Sequence, residues 1–485
     1  MLRWIPVLVF LTIMAFSVTG TPDNEFQKWL KQHKKEFKSF VDEHDKEFAS
    51  FLKNNWVETS VIPEQQRDSV PKPTDIPSLR QTPDEVQDDD PIVTLPVKPL
   101  PLPAPDKPAP VIEPELTFPT PKKNKMTLSF LDRKLNLPEL SYAKLNIRSV
   151  NKDSIADSWL AMAKSEFSPV VDSLKQSGEE LALDDWGQAL LTHEYLIKNN
   201  RFSFNELQLY TWFYLVKQGY DARVSYNEGK VYLMMQVKQT LFGQKYFNLK
   251  EGKYYFVDLA KKKPIKVESV YTYNKQHASA TAQLNIDLRV APKHGKSDSK
   301  RALSTKINKK RVGVTTPYNS AYIEYLDRYP QLNMENYFRA ELPSETKQAL
   351  LTQLVPYLEG LSETQALNLL LHFVQNNLSY QTDQQQFSYE NYLFAGETLH
   401  YPYADCEDRA VFYAYLVKNL LGKDVVGLQY DGHIATAVAV QSKVAGDTFQ
   451  INGKSYVVAD PTFINAKIGQ TMRGFENQKP KFIVY

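Results

Sequence analysis

Apolar residues are arranged in three ways along this chain, and each arrangement predicts a different element. Near the start, an apolar run from Ile5 to Phe16 follows the single charge of Arg3 and ends in Ser17-Val18-Thr19-Gly20. A charged start, a short apolar run and small residues before Thr21 predict a cleaved secretory signal peptide over residues 1–20. The run is short for a spanning helix, which needs about 20 residues; an uncleaved N-terminal anchor is the alternative. The mature chain is therefore expected to be exported, to the periplasm if the source is bacterial.

The second arrangement is a stripe. Phe26, Leu30, His33, Phe37, Phe40, His44, Phe48 and Phe51 recur every three or four residues, with Lys and Glu between them. This predicts an amphipathic helix or coiled coil within residues 21–56. Such a helix packs on its own protein or a twin, or docks on a partner or a membrane surface. Its polar face mixes both charges, which favours a protein contact: self-association or a protein partner. The third arrangement is alternation. Val425–Tyr430 and Ile434–Val440 read as strands around an Asp431-Gly432 turn. A second hairpin turns at Asn452-Gly453, with Tyr456–Ala459 returning and Asp460-Pro461 ending the ladder. Ahead of them, Ala410, Ala414, Val417 and Leu421 mark one face of a helix that stops at Gly422.

Between the N-terminal helix and the rest, residues 57–125 carry sixteen prolines, from Pro63 to Pro121, and no glycine from Val57 to Pro121. Proline fixes φ, so this region reads as a stiff, extended spacer. Lys293–Arg311 is basic and Ser-rich and reads as a solvated linker over residues 291–320. No aromatics interleave with its charges as platforms for nucleobases.

Composition narrows the chemistry. The 485 residues are 42% hydrophobic and 24% charged with a formal net charge of +2, so neither a nucleic acid nor an acidic surface is demanded as partner. One cysteine among 485 residues excludes an intramolecular disulfide framework, a Cys-rich zinc site and an iron–sulfur cluster. No metal or cofactor is expected. That cysteine, Cys406, sits where the helix begins, and the macrodipole there favours a thiolate. His433 lies at the exit of the first turn and Asp460 at the end of a later strand. A thiol needs a base to take its proton, and an imidazole base needs a carboxylate to fix its tautomer. Taken singly, the three residues read as a small core residue, a turn surface residue and a turn former; together they predict a nucleophile, a base and an orienting carboxylate. The backbone N–H of Cys406 is a candidate oxyanion donor, with Tyr401, Tyr403 and Gln386 as further candidates.

The stretch Glu397-Thr398-Leu399, Tyr403-Ala404-Asp405-Cys406-Glu407-Asp408-Arg409-Ala410, His433 and Asp460-Pro461-Thr462 resembles the bacterial transglutaminase-like superfamily, which has a papain-like Cys-His-Asp site. The resemblance runs from about Ala349 to the C-terminus. It implies an α+β, transglutaminase-like core in which a helix carrying Cys406 packs on an antiparallel sheet carrying His433 and Asp460. It also implies acyl chemistry on an amide of a protein or peptide, such as a cell-envelope peptide, by hydrolysis or transfer. A non-catalytic envelope-binding or assembly scaffold is the alternative.

An earlier segment repeats the pattern. Gln188-Ala189-Leu190-Leu191 matches Gln365-Ala366-Leu367-Asn368, Tyr214-Leu215-Val216-Lys217 matches Tyr415-Leu416-Val417-Lys418, and Phe256-Val257-Asp258 parallels Val457-Val458 and Asp460. In that register Asn205 faces Cys406 and Lys230 faces His433, so only Asp258 keeps its counterpart. The expectation is a degenerate module over residues 126–290 and an active one over 321–485. The longer loop between Asn377 and Cys406, including Phe387-Ser388-Tyr389-Glu390, is expected to wall the cleft.

Overall fold

The computed structural model describes residues 43–67, 125–198, 202–260, 265–307 and 309–485. The expected signal peptide, the N-terminal part of the Phe-striped helix and most of the proline-rich region lie outside the described residues. Helix and antiparallel sheet are mixed throughout, about 35% helical and 25% strand, compatible with an α+β architecture.

The first half opens with helix α1 (43–54), then strand β1 (Val57–Ser60), the β2–β3 hairpin (Lys125–Phe130, Arg133–Pro138) and four helices. These are α2 (Lys152–Ala163), α3 (Ser168–Glu180), α4 (Asp185–Ile197) and α5 (Phe204–Gln218). Strands β4 (Ala222–Asn227), β5 (Lys230–Gln236), β6 (Tyr246–Leu249), β7 (Gly252–Phe256) and β8 (Ser269–Thr272) follow. They form one sheet in the order β1-β8-β4-β5-β7-β6. A long hairpin, β9 (Ser299–Ile307) and β10 (Lys310–Tyr318), leads into the second half. That half holds α6 (Ser320–Leu326), α7 (Met334–Arg339), α8 (Ser344–Leu358), α9 (Glu363–Asn377), α10 (Asp383–Gln386), α11 (Ala395–Thr398) and α12 (Cys406–Leu421). Strands β11 (Val425–Tyr430), β12 (His433–Ala439), β13 (Thr448–Ile451), β14 (Lys454–Ala459) and β15 (Lys481–Ile483) make a sheet in the order β13-β14-β12-β11-β15.

The two sheets share a topology. Read from β8 and from β15, they run β8-β4-β5-β7-β6 and β15-β11-β12-β14-β13, with every named pairing antiparallel. In each, a long helix covers the two strands of the first hairpin: α5 on β4 and β5, α12 on β11 and β12. A preceding helix, α4 or α9, packs on the long one. The hairpins follow turn chemistry. Glu228-Gly229 and Asn452-Gly453 both have positive φ at two successive residues, as the tight turns matching strand twist require. Helix α12 ends at Gly422 in the left-handed region, where a Cβ would be costly.

Two expectations are corrected. The spacer does not begin at residue 57: Val57–Ser60 adds an edge strand by pairing with Ser269–Thr272, because its exposed backbone groups find partners on β8. Arg67 then reaches the second half, stacking on Tyr392 and donating to Gln331 Oε1 and the Leu332 carbonyl. The basic segment of residues 291–320 is mostly a hairpin rather than a solvated linker. Its alternate residues Leu303, Ile307, Val312 and Val314 are buried, so the period-2 pattern was hidden by the lysines on the opposite face. The described part of the Phe-striped helix packs on its own protein, one of the expected alternatives. Phe48, Ala49 and Leu52 are buried in the first half, and Asp45 meets Lys217 Nζ at 2.6 Å and accepts from Trp159 Nε1 at 3.0 Å.

One buried group makes the first half acid-sensitive. Burial, aided by Arg328, pushes His193 on α4 down to about 3. Between pH 6.5 and 3 the unfolded chain takes up a proton at this position that the folded chain refuses. Stability therefore falls as pH drops through that window, by at most about 1.4 kcal/mol per pH unit for this one group. His193→Gln is expected to flatten the decline of melting temperature between pH 6.5 and 4 relative to wild type. Parallel pH profiles would show that His193 is not responsible.

Candidate active site

Cys406 is the first residue of α12, with Asp405 as its N-cap. Its helical start is therefore as expected, and the hairpins bring the other two residues to each other. Strands β12 and β14 are direct neighbours, with Thr436 opposite Ala459. Asp460 follows β14 and His433 opens β12, so both occur at the same end of the paired strands. There His433 Nε2 lies 2.8 Å from Asp460 Oδ2. Asp460 Oδ1 accepts backbone N–H bonds from Thr462 at 2.9 Å and Phe463 at 3.2 Å, which fixes the carboxylate. His433 Nδ1 is buried with no hydrogen-bond partner among the described residues. With Nε2 on the carboxylate, Nδ1 is the nitrogen left for proton transfer. The backbone N–H of Ile434, next to His433, donates to the Cys406 sulfur.

The thiol itself donates to Glu407 Oε2 at 3.1 Å rather than to His433. Its ionisation also departs from the expectation of a helix-favoured thiolate. Burial, then the charges of Glu407 and Asp405, push the Cys406 thiol well above its ordinary value, and the Ile434 N–H offsets this only in part. Cys406, His433 and Asp460 are 2%, 1% and 1% exposed, so no substrate reaches them in this conformation. Phe475 covers the imidazole, its ring centroid 4.9 Å from that of His433 and 5.4 Å from that of Tyr430. It belongs to a mostly exposed loop, residues 473–479.

Sequence reasoning missed the acidic surroundings. Asp383, Glu390 and Glu407 bring ligand oxygens within 4.8 Å of one another, and so do Asp383, Asp405 and Asp408. Burial first, and then mutual repulsion led by Asp405 and Asp383, raises Asp405, Glu407 and Asp408 well above the usual carboxylate range. Glu390 rises to about 7 for the same two reasons. An all-oxygen set of this kind suits a hard divalent cation; protonation is the other way to relieve it. The signal in the sequence was the acidic run flanking the lone cysteine, but Asp383 and Glu390 come from a distant loop. That loop does wall the site. Asn391 N donates to Asp383 Oδ2 and Leu393 N to Asp408 Oδ1, at 2.6 and 2.9 Å.

Among the proposed oxyanion donors, Tyr401 packs on Phe387 and His400, and Tyr403 is largely turned to solvent. Tyr392, which sequence reasoning did not single out, is the tyrosine that feels the charges of Cys406 and Glu407. In the first half, Asn205 stands near the start of α5. Its Oδ1 accepts from Val231 N at 2.9 Å, as Cys406 accepts from Ile434 N. Lys230 is exposed there, and Asp258 accepts from Ala260 N two residues on, as Asp460 does from Thr462 N. No family model, curated protein or solved structure matches the chain.

The covering loop yields a measurable expectation. Phe475→Ala removes the ring over His433, and alkylation of the sole thiol by iodoacetamide should accelerate about tenfold, equivalent to ~1.4 kcal/mol less for opening. An unchanged rate would mean that access is controlled elsewhere.

Proposed function

We propose that this chain is an exported thiol enzyme with a transglutaminase-like core, acting on an amide of a protein or peptide, including peptides of the cell envelope. One observation carries the reading. The imidazole of His433 is held by Asp460 through Nε2, while Nδ1 is buried and unpartnered beside the strand residue whose N–H touches Cys406. This is the division of labour a thiol–imidazole–carboxylate set requires.

In the proposed reaction the Cys406 side chain turns from Glu407 towards His433 and gives its proton to Nδ1. The sulfur attacks the carbonyl carbon, and the tetrahedral intermediate collapses as the amine leaves with the proton from His433. The resulting thioester is attacked by water, which gives hydrolysis, or by a second amine, which gives transfer. Asp460 keeps the imidazole in one tautomer throughout.

The first half is proposed to be a degenerate copy of the same module. The shared strand order, the matched Asn205–Val231 and Cys406–Ile434 contacts and the matched turns at Asp258 and Asp460 support this. Asn205 and an exposed Lys230 cannot perform the chemistry, so this copy serves as a scaffold or binding surface.

A non-catalytic envelope scaffold is the rival reading, and the burial of Cys406 with its thiol turned to Glu407 is what favours it. A thiol-reactive acyl probe separates the two. Wild type should be labelled once per chain, Cys406→Ala not at all, and His433→Ala at least about 100-fold more slowly at neutral pH. Equal rates for wild type and His433→Ala would sink the enzyme reading, and a stable partner captured regardless of Cys406 would support the scaffold.

A further inference from the structure

Arg409 is the largest charged investment in the second half that the proposed reaction does not use. It lies one helical turn after Cys406 and is 1% exposed. Its guanidinium forms no ion pair within 4.0 Å among the described residues, although buried carboxylates surround it. Instead all three nitrogens donate to backbone carbonyls. Nε donates to Ala404 O at 3.2 Å, Nη1 to Pro461 O at 3.4 Å and Nη2 to Leu378 O. The ring of Tyr380 lies 5.5 Å from its Cζ.

The three carbonyls are informative. Ala404 is two residues before Cys406. Pro461 directly follows Asp460. Leu378 precedes Ser379, whose carbonyl accepts from Ala404 N at 2.9 Å. One planar fork thus ties the chain entering the Cys406 helix to the chain leaving the Asp460 strand, although Arg409 and Pro461 are 52 residues apart in sequence. An apolar side chain would fill the same volume without burying a charge, which is costly unless its donors are satisfied. Lysine could not span three carbonyls, because its donors sit on one atom. Burial lowers the guanidinium only to about 10, so it stays charged at neutral pH, facing Asp405, Asp460 and Cys406. In the register that sets Asn205 against Cys406, the first half has uncharged Gln208 at this place.

We infer that Arg409 is a positioning residue: it fixes the Cys406 helix start against the Asp460 turn, so that Asp460 and His433 are held at a set place relative to the thiol. The inference rests on the thiol-enzyme reading for its kinetic consequence but not for its geometry. A set of reacting groups displaced by about 1 Å loses on the order of 100-fold in rate. The helix start and the Asp460 turn have no covalent reason to keep their spacing when the fork is removed.

The test uses the full chain with Arg409→Gln and Arg409→Lys, read by acyl-probe labelling and by hydrogen exchange. In Arg409→Gln the labelling rate at saturating probe is expected to fall about 100-fold, with the half-saturating concentration nearly unchanged. Arg409→Lys should fall between the two. Millimolar guanidinium, far below denaturing levels, should restore part of the lost rate in Arg409→Gln and leave wild type unaffected. Amide exchange should rise together in residues 403–406 and 461–463 and be suppressed again by guanidinium. A folded Arg409→Gln with wild-type labelling, or exchange rising in one segment alone, would overturn the inference. So would a lower melting temperature with no rescue by guanidinium, since that marks a residue serving stability only. If Arg409→Gln fails to fold, Arg409→Lys decides by the same two readouts. If wild type is not labelled, the enzyme reading falls by itself, and coupled exchange in the two segments still decides the role of Arg409.

Discussion

Two trios of carboxylates that share Asp383, none of them facing water freely, are the constraint on which the candidate site of the second half depends. Asp383, Glu390, Asp405, Glu407 and Asp408 repel one another and lose hydration together. Much of the local structure consists of donors turned towards them. The loop between α9 and α12 directs the N–H groups of Asn391 and Leu393 at Asp383 and Asp408, and the N-cap of α12 holds Asp405 against Asp408. A loop that would otherwise lie on the surface is drawn inward because its backbone donors are the compensation these groups require. The same constraint sets the thiol state: a neutral Cys406 hydrogen-bonded to Glu407 adds no further negative charge.

Against this electrostatic strain the sheet supplies rigidity. Antiparallel pairing of β12 with β14 makes the spacing of His433 and Asp460 a property of the ladder rather than of side-chain chance. Thr436 reinforces that pairing by donating its hydroxyl to the Ala459 carbonyl. The first half shows the ladder geometry without the chemistry. Its Asn205 caps the β4–β5 hairpin by bonding both Gly229 O and Val231 N. A helix start bonded to a hairpin exit is thus a packing solution in its own right, into which Cys406 and His433 fit.

The parts legible in the sequence were those set by local rules. Gly422 stops α12, the two-residue turns fix the hairpins, and Asp460-Pro461 ends a strand, so Cys406, His433 and Asp460 fall at the expected ends of their elements. What was not legible depends on contacts between distant segments. Asp383 and Glu390 reach the carboxylates beside Cys406 only through the folding of a 28-residue loop between α9 and α12. Val57–Ser60 carries no strong strand pattern and becomes a strand because β8 offers an unpaired edge. The β9–β10 hairpin was masked because its lysines dominate composition while its apolar residues alternate beneath them. Arg409 read as one more charge on a helix, because nothing in the sequence says that three carbonyls from separate segments converge on it.

The burial that withholds the thiol from solvent also bears on where such a protein could work. Oxidation of cysteine proceeds through the thiolate and follows exposure. A lone cysteine that is buried and stays neutral beside Glu407 presents neither. For the proposed exported thiol enzyme, the suppressed ionisation of Cys406 is then compatible with activity rather than opposed to it. Opening of the cover and approach of the substrate would bring the sulfur to His433 Nδ1 only when a carbonyl is there to be attacked. In the proposed reaction the thiolate is generated at the moment of use, and the acidic surroundings would return Cys406 to its protonated state when the site closes.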